Sequence, residues 1–300
     1  MKRVQVAVVG GGYAGRNAAG AASSVGAETI LFDEMPVFHD QLVVDERPGL
    51  RERSTEGFVF QRGSVVWGVF AGNILGVVYG DQSYQVKADR VVLATGATDL
   101  PCPFPGGSLP GVFSNCAISI LFRRSVMPGR RFVVLGDGLD ATASTSDIKY
   151  FGGEIVAQVA PHQIPSFKAF GEQGVDSVEI EGARLPADVV VVATGRQPDI
   201  ELALMAECAI GYSEALGGFV PVRNEFLQTS KPEILSAGDA AGICDRLTAA
   251  AEGRFAGISA AHSLGFVDED MFEKSRTTFW AQAGERLELL AGVTPAYAQV

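Results

Sequence analysis

Two short apolar runs in this chain end in glycine-rich turns, and that repeat limits the fold more than any other feature. The first reads Val8-Val9-Gly10-Gly11-Gly12-Tyr13-Ala14-Gly15 and the second Val134-Leu135-Gly136-Asp137-Gly138-Leu139-Asp140-Ala141. β-Branched residues entering such a turn, with small residues following it (Ala14, Ala18, Ala19, Ala21 and Ala22 after the first), describe a buried strand, a tight turn and a closely packed helix. Glu34 stands nineteen residues after Gly15, at the end of the run Thr29-Ile30-Leu31-Phe32. The equivalent position nineteen residues after Ala141 is Ala160, which has no side chain to hold a ribose. The first turn therefore has every part of a dinucleotide site, whereas the second lacks one.

Each residue type in the first turn has a physical task. Gly10 permits the turn, Gly12 lets backbone approach a pyrophosphate, and Gly15 lets helix and strand pack closely. The helix beginning at Tyr13 and Ala14 offers free N–H groups and a partial positive charge to phosphate. Glu34 is the expected acceptor for ribose hydroxyls, with Asp33 beside it as the fallback.

Net charge is −11, which disfavours nucleic acid or anionic membrane as partners. The longest apolar runs are of strand length, well short of the ~20 residues of a membrane span. Met1-Lys2-Arg3 leads directly into the first strand without a signal-peptide pattern, so a cytoplasmic location is expected. The four cysteines, at 102, 116, 208 and 244, include no CxxC pair, and no Cys/His cluster has metal spacing. Neither a redox-active CxxC disulfide nor a bound metal is expected. Of the histidines at 39, 162 and 262, only His39 falls near the expected site, and no catalytic acid or base is assigned.

Strand candidates recur at Val4–Val9, Thr29–Phe32, Val65–Phe70, Val91–Thr95, Phe132–Leu135, Ile155–Val159, Val189–Thr194 and Ile234–Ala237. Their alternation with helix-like segments predicts an α/β chain with doubly wound, mainly parallel sheets. Residues 65–86 instead read as an antiparallel meander, broken at Ala71-Gly72-Asn73 and at Gly80-Asp81. An echo closes each half: Val91-Val92-Leu93-Ala94-Thr95-Gly96 and Val190-Val191-Val192-Ala193-Thr194-Gly195. Two related nucleotide-binding domains are expected, the second inserted into the first, with boundaries of 1–105 and 216–300 for the discontinuous domain and 106–215 for the insert.

With its two ATG strands, the GGGYAG turn and the closing Ser236-Ala237-Gly238-Asp239-Ala240-Ala241-Gly242, the chain resembles the flavoproteins with two dinucleotide-binding domains, which share a thioredoxin reductase-like fold. The stretches Phe104-Pro105-Gly106-Gly107-Ser108-Leu109-Pro110-Gly111-Val112 and Ala215-Leu216-Gly217-Gly218-Phe219-Val220-Pro221 are similar to the large subunits of heterotetrameric sarcosine oxidase, opine oxidase and related amino-acid dehydrogenases. The resemblance implies that Gly10, Gly12 and Gly15 hold the pyrophosphate of an FAD, Glu34 its ribose, Thr95 and Gly96 the same nucleotide, and Asp239 the ribityl chain or flavin phosphate together with the Gly238–Asp239 backbone. It also implies a helix starting near Leu247 whose positive end faces the flavin ring.

Three departures from the family pattern qualify this picture. His39 and Asp40 replace glycines expected beside the flavin ring. The insert places Asp137 and Asp140 in its phosphate loop and has no acid at 160, so NAD(P) binding there is expected to be degenerate. The chain closes on an apolar stripe (Phe272, Phe279, Trp280, Leu287, Leu290) that suits either core packing or a partner surface. The function implied is that of an FAD-dependent oxidoreductase, or a subunit of one, in amine or amino-acid oxidation. It would take a small-molecule substrate or electron donor and pair with a second oxidoreductase subunit or a second copy of itself. Two alternatives stay open: an NAD(P)H-dependent flavin reductase, and a non-catalytic nucleotide-holding subunit.

Overall fold

The structure is a computed structural model and describes residues 1–35 and 57–293. His39 and Asp40 lie outside the described residues. The chain forms two compact units, one comprising 1–35, 57–98 and 197–293 and the other 99–196.

The first unit is built on β1 (Lys2–Val9), followed by α1 (Tyr13–Ser24), β2 (Thr29–Asp33), β3 (Val59–Arg62) and the meander β4 (Ser64–Phe70), β5 (Ile74–Tyr79) and β6 (Gln82–Leu93). Its sheet runs β3-β2-β1-β6-β5-β4. β1 is parallel to both β2 and β6, and β4, β5 and β6 pair antiparallel. The expected meander is therefore present, and its last strand continues as a central strand of the parallel sheet. Gly72 (φ +77°) and Gly80 (φ +56°) make its two turns.

The second unit contains β7 (Val112–Ser114), α2 (Asn115–Arg123), β8 (Arg131–Leu135), α3 (Leu139–Tyr150), β9 (Glu154–Val159) and β10 (Val189–Val192). Its parallel sheet runs β9-β8-β10-β7. Alternation splits these strands between two cores. Phe132, Val134, Val189 and Val191 meet Ile118 and Phe122 of α2 and Ile148 of α3. Val133, Leu135, Val190 and Val192 face Phe167, Ala169 and Val178. Each such side chain, when fully buried, contributes about 1.5–3 kcal/mol.

On its return the chain forms α4 (Glu201–Met205), β11 (Ile234–Ser236), α5 (Arg246–His262) and α6 (Glu269–Ala291). β11 is parallel to β6. α5 lies against α1 at very short range: a Cβ on Gly253 would come 2.0 Å from the Ala14 carbonyl oxygen, and one on Gly257 would come 2.2 Å from that of Ala18. Only glycine admits that approach. Residues 197–215 were expected in the insert, yet Leu202, Ala203, Cys208 and Ile210 join the core formed by Val66, Val69 and Leu75 of the meander. The units divide at 98/99 and 196/197, because these apolar side chains fill the meander face of the first unit's sheet. Phe272 and Phe279 of α6 are buried at 4% and 3% and stack on Phe255 of α5, so core packing accounts for that part of the stripe. Trp280 stays 39% exposed.

Candidate dinucleotide site

The first glycine-rich turn follows from its backbone. Gly10 has φ +103°, and a Cβ there would stand 2.1 Å from the Ala94 carbonyl oxygen. A Cβ on Gly15 would stand 1.7 Å from the Gly10 carbonyl oxygen. Both glycines are demanded by the protein itself. Gly12 is different: it has an ordinary φ of −72° and a Cβ would meet nothing within 4 Å. Its lack of a side chain leaves open a cradle that the described residues do not fill. Gly12 is also the N-cap of α1, no side chain caps that helix end, and no acid lies in its first turn. Among the described residues, the α1 N-terminus thus presents amide donors beside an open cradle with no carboxylate accepting from them, a fit for a phosphate group.

The turn is fastened from the neighbouring strand end. The Gly11 N–H donates to Asp33 Oδ2 and the Met35 N–H to Asp33 Oδ1, the latter at 2.7 Å. Asp33 is therefore committed to shaping the turn, and Glu34 beside it is exposed. Thr95 donates its hydroxyl to the Asp199 carbonyl oxygen at 2.9 Å, and Asp199 N–H returns a bond to Gly96 at 3.0 Å. These two bonds tie the Thr95–Gly96 segment to Asp199. Gly238 packs on Ala14, where a Cβ would come within 2.7 Å, and its φ is +71°. The structure thus gathers Gly10–Gly15, Asp33, Thr95 and Gly238 around one helix end.

Two features of the returning segment bear on the roles expected of it. The Gly238 N–H donates to the fully buried Glu252 at 2.7 Å. Asp239, the other member of the pair, is half-buried. Asp239 Oδ1 itself accepts from Cys244 N–H at 2.9 Å. The start of α5 is not a bare positive end. Asp245 caps it, accepting from Leu247 N–H at 2.8 Å and Thr248 N–H at 3.0 Å. That carboxylate satisfies the first amides and offsets the helix dipole.

The second turn reproduces the first in its closing bonds. Gly136 has φ +126°, and a Cβ there would come 2.1 Å from the Ala193 carbonyl oxygen, as Gly10 does against Ala94. Gly136 N–H bonds Val159 as Gly10 N–H bonds Phe32, and Ala193 N–H bonds Leu135 as Ala94 N–H bonds Val9. Gly138 caps α3 with nothing within 4 Å of a Cβ. Asp140, expected to repel phosphate, instead turns inward and pairs with Arg196 at 2.8 Å, the two side chains being 11% and 19% exposed. Only the exposed Asp137 keeps the role expected of both. The acid at the strand end is still missing: Ala160 is followed by Pro161 and a 3-10 turn, Pro161–Ser166. The residues there suit a phosphate better than the sequence suggested and an adenosine ribose no better.

None of the four cysteines is in a disulfide. Burial pushes the thiols of Cys102, Cys208 and Cys244 up, so they are protonated at neutral pH and not poised as nucleophiles. Among the described residues, no group of three or more His, Cys, Asp or Glu could hold a metal ion. None of the helices in these residues is long and apolar enough to cross a membrane.

A family model for pyridine nucleotide-disulphide oxidoreductases matches residues 4–162 and 159–263. The chain belongs to this family. Its relatives are FAD-dependent oxidoreductases, and it is an oxidoreductase of that kind. One of the subunits of opine oxidase from Agrobacterium tumefaciens (strain Ach5) is 27% identical over 92% of this chain and 69% of its own length. An NADH oxidase of Methanocaldococcus jannaschii is 29% identical over 55% of this chain and 43% of its own. Among solved structures, L-proline dehydrogenase from P. horikoshii superposes with a TM-score of 0.78 at 24% identity, covering 100% of this chain and 61% of that one. Within the pyridine nucleotide-disulphide oxidoreductases, this chain combines the two-turn fold with four unbridged cysteines.

Proposed function

We propose that the first unit binds FAD at the α1 turn and that the protein is the flavin-bearing part of an amine or amino-acid oxidising enzyme. One observation carries the reading: an uncapped helix N-terminus beside the open Gly12 cradle, with Glu34 exposed at the adjoining strand end. The α1 amides and the Gly12 backbone would bind the pyrophosphate, Glu34 the adenosine ribose, and Asp239 the ribityl or phosphate portion. Asp33 and Thr95 would act at one remove by shaping the turn. FAD, when bound, supplies a two-electron acceptor and donor. The protein would orient it and exclude other acceptors. Similarity to an opine oxidase component supports the substrate class and pairing with a second, different chain.

NAD(P)H-dependent flavin reduction is the second reading. The open Gly138 and the pairing of Asp140 with Arg196 favour it, and Ala160 counts against it. Anaerobic mixing of the flavin-loaded protein with NADH, NADPH, opines and amino acids, followed at the flavin band, separates the two. Bleaching by an opine or amino acid, with the partner chain present, supports the first reading. Bleaching by NADH or NADPH alone supports the second.

A further inference from the structure

A charged cluster with no counterpart in the sequence motifs lies beneath the 236–243 turn of the first unit. Glu252 of α5 is 0% exposed, the Arg223 side chain 1%, and Arg286 of α6 is 8% exposed. Glu252 Oε1 accepts from Arg223 Nη2 at 2.5 Å and from Arg286 Nε at 2.7 Å. Its Oε2 accepts from the Gly238 N–H. The guanidiniums then reach the turn's carbonyl oxygens. Arg223 Nη1 donates to Ser236 at 2.7 Å, Arg286 Nη2 to Gly242 at 2.6 Å and Gly238 at 3.1 Å, and Arg286 Nη1 to Ile243 at 2.9 Å. Four inward carbonyls and one amide of this short turn are thus held by three side chains, and Gly238 has both its backbone groups held. Asp239, within this turn, is half-buried, and its Oδ1 accepts from the Cys244 N–H.

We propose that Arg286 is a positioning residue for the dinucleotide, and that with Glu252 and Arg223 it makes helix α6 an integral part of the FAD site by fixing the turn that carries Asp239. This rests on the reading of the first unit as the FAD site. A buried ion cluster is poor value as pure stabilisation, since taking charges out of water costs several kcal/mol per ion. Here the geometry shows what the charges do instead. A guanidinium has a rigid fork of five donors, and Arg286 uses it to bind one carboxylate and three carbonyls at once. An ammonium, a compact point charge on a flexible stem, does not match that fork. Burial alone would raise the Glu252 carboxyl, but the two guanidiniums outweigh it and keep Glu252 ionised. Preorganising a ligand-binding turn in this way lowers the cost of ordering it on binding.

The test uses Arg286→Lys, with FAD as the probe. Unfolding of the apoprotein and FAD affinity are measured separately, the latter well below the unfolding transition, together with the visible circular dichroism of bound flavin. The proposal expects a folded Arg286→Lys apoprotein that binds FAD about tenfold or more weakly, with an altered flavin dichroism spectrum. A folded variant with wild-type affinity and spectrum overturns it. If single substitutions do not fold, the apolar replacement of all three (Arg223→Met, Glu252→Leu, Arg286→Met) removes the buried charges together. It is expected to fold and to bind FAD weakly, and wild-type affinity there overturns the proposal. Amide exchange on the unaltered apoprotein needs no variant: the Gly238 N–H should be as protected as those of β1, and fast exchange would overturn a preformed turn. Failure of the wild-type protein itself to bind FAD would instead sink the underlying reading of the site.

Discussion

At the residue scale, the site separates glycines required by the fold from one, Gly12, that its described neighbours do not require. Gly15→Ala drives a Cβ to 1.7 Å from a carbonyl oxygen, so it should destabilise the fold by at least about 1–3 kcal/mol, read as a lowered denaturant midpoint. Gly12→Ala meets nothing within 4 Å among the described residues. It should leave the midpoint within about 0.5–1 kcal/mol of wild type while dinucleotide affinity collapses. Equal effects of the two substitutions on stability would contradict this division. Glu34→Ala should cost about 1.5–3 kcal/mol of dinucleotide affinity, the worth of hydrogen bonds to a charged group; calorimetric titration showing no change would remove Glu34 from the ribose. The glycine turn was legible in the sequence because motif spacing fixes it. Asp33's commitment to Gly11 was not, since adjacent acids at a strand end look alike until the backbone shows which one turns toward the loop.

At the element scale, strands and helices were legible where apolar runs end in glycine, and helix ends were less so. The sequence placed a helix near Leu247, and α5 begins at Arg246, but the negative cap at Asp245 escaped a reading that looked only at the helix dipole. Asp245→Ala should cost about 1 kcal/mol of stability through loss of the cap, measured by chemical denaturation. In the second unit, Asp188 joins β8 to the segment before β10. Hydrogen bonds from the Arg131 guanidinium outweigh partial burial, and with the Arg130 and Arg131 amides they hold its carboxyl at about 2. That lies below its ordinary value of ~3.9. The stabilisation is thus fully present above about pH 4 and is lost as pH falls toward 2. Asp188→Asn should flatten the acid limb of the stability profile in that window and leave the profile near neutrality similarly sloped. An unchanged acid limb would show that the pair does not titrate with folding.

At the scale of the whole molecule, the internal echo read from two ATG strands is the clearest success of the sequence. It appears in space as matching closing bonds, Gly10 with Phe32 and Gly136 with Val159. The unit boundaries were less legible. Proline-rich segments at 100–107 mark a change of direction, but side-chain packing decides which sheet 197–215 joins, and packing does not show in local composition. The Arg223–Glu252–Arg286 cluster gave no signal at all, because its members are 29 and 34 residues apart and each sits in an ordinary local context. Gly138→Ala tests the second turn without the strain that Gly136→Ala would add. The protein should stay folded, and NADH affinity, weak for lack of an acid at 160, should change little; a large loss would establish a working second site. The central claim is that the first unit holds FAD. It is tested most directly by the absorption spectrum of the purified protein, with mass identification of whatever heat releases. A flavin spectrum with FAD released in about one equivalent per chain is the result expected from one complete turn. A colourless protein that releases another adenine nucleotide, and does not take up added FAD, would contradict it.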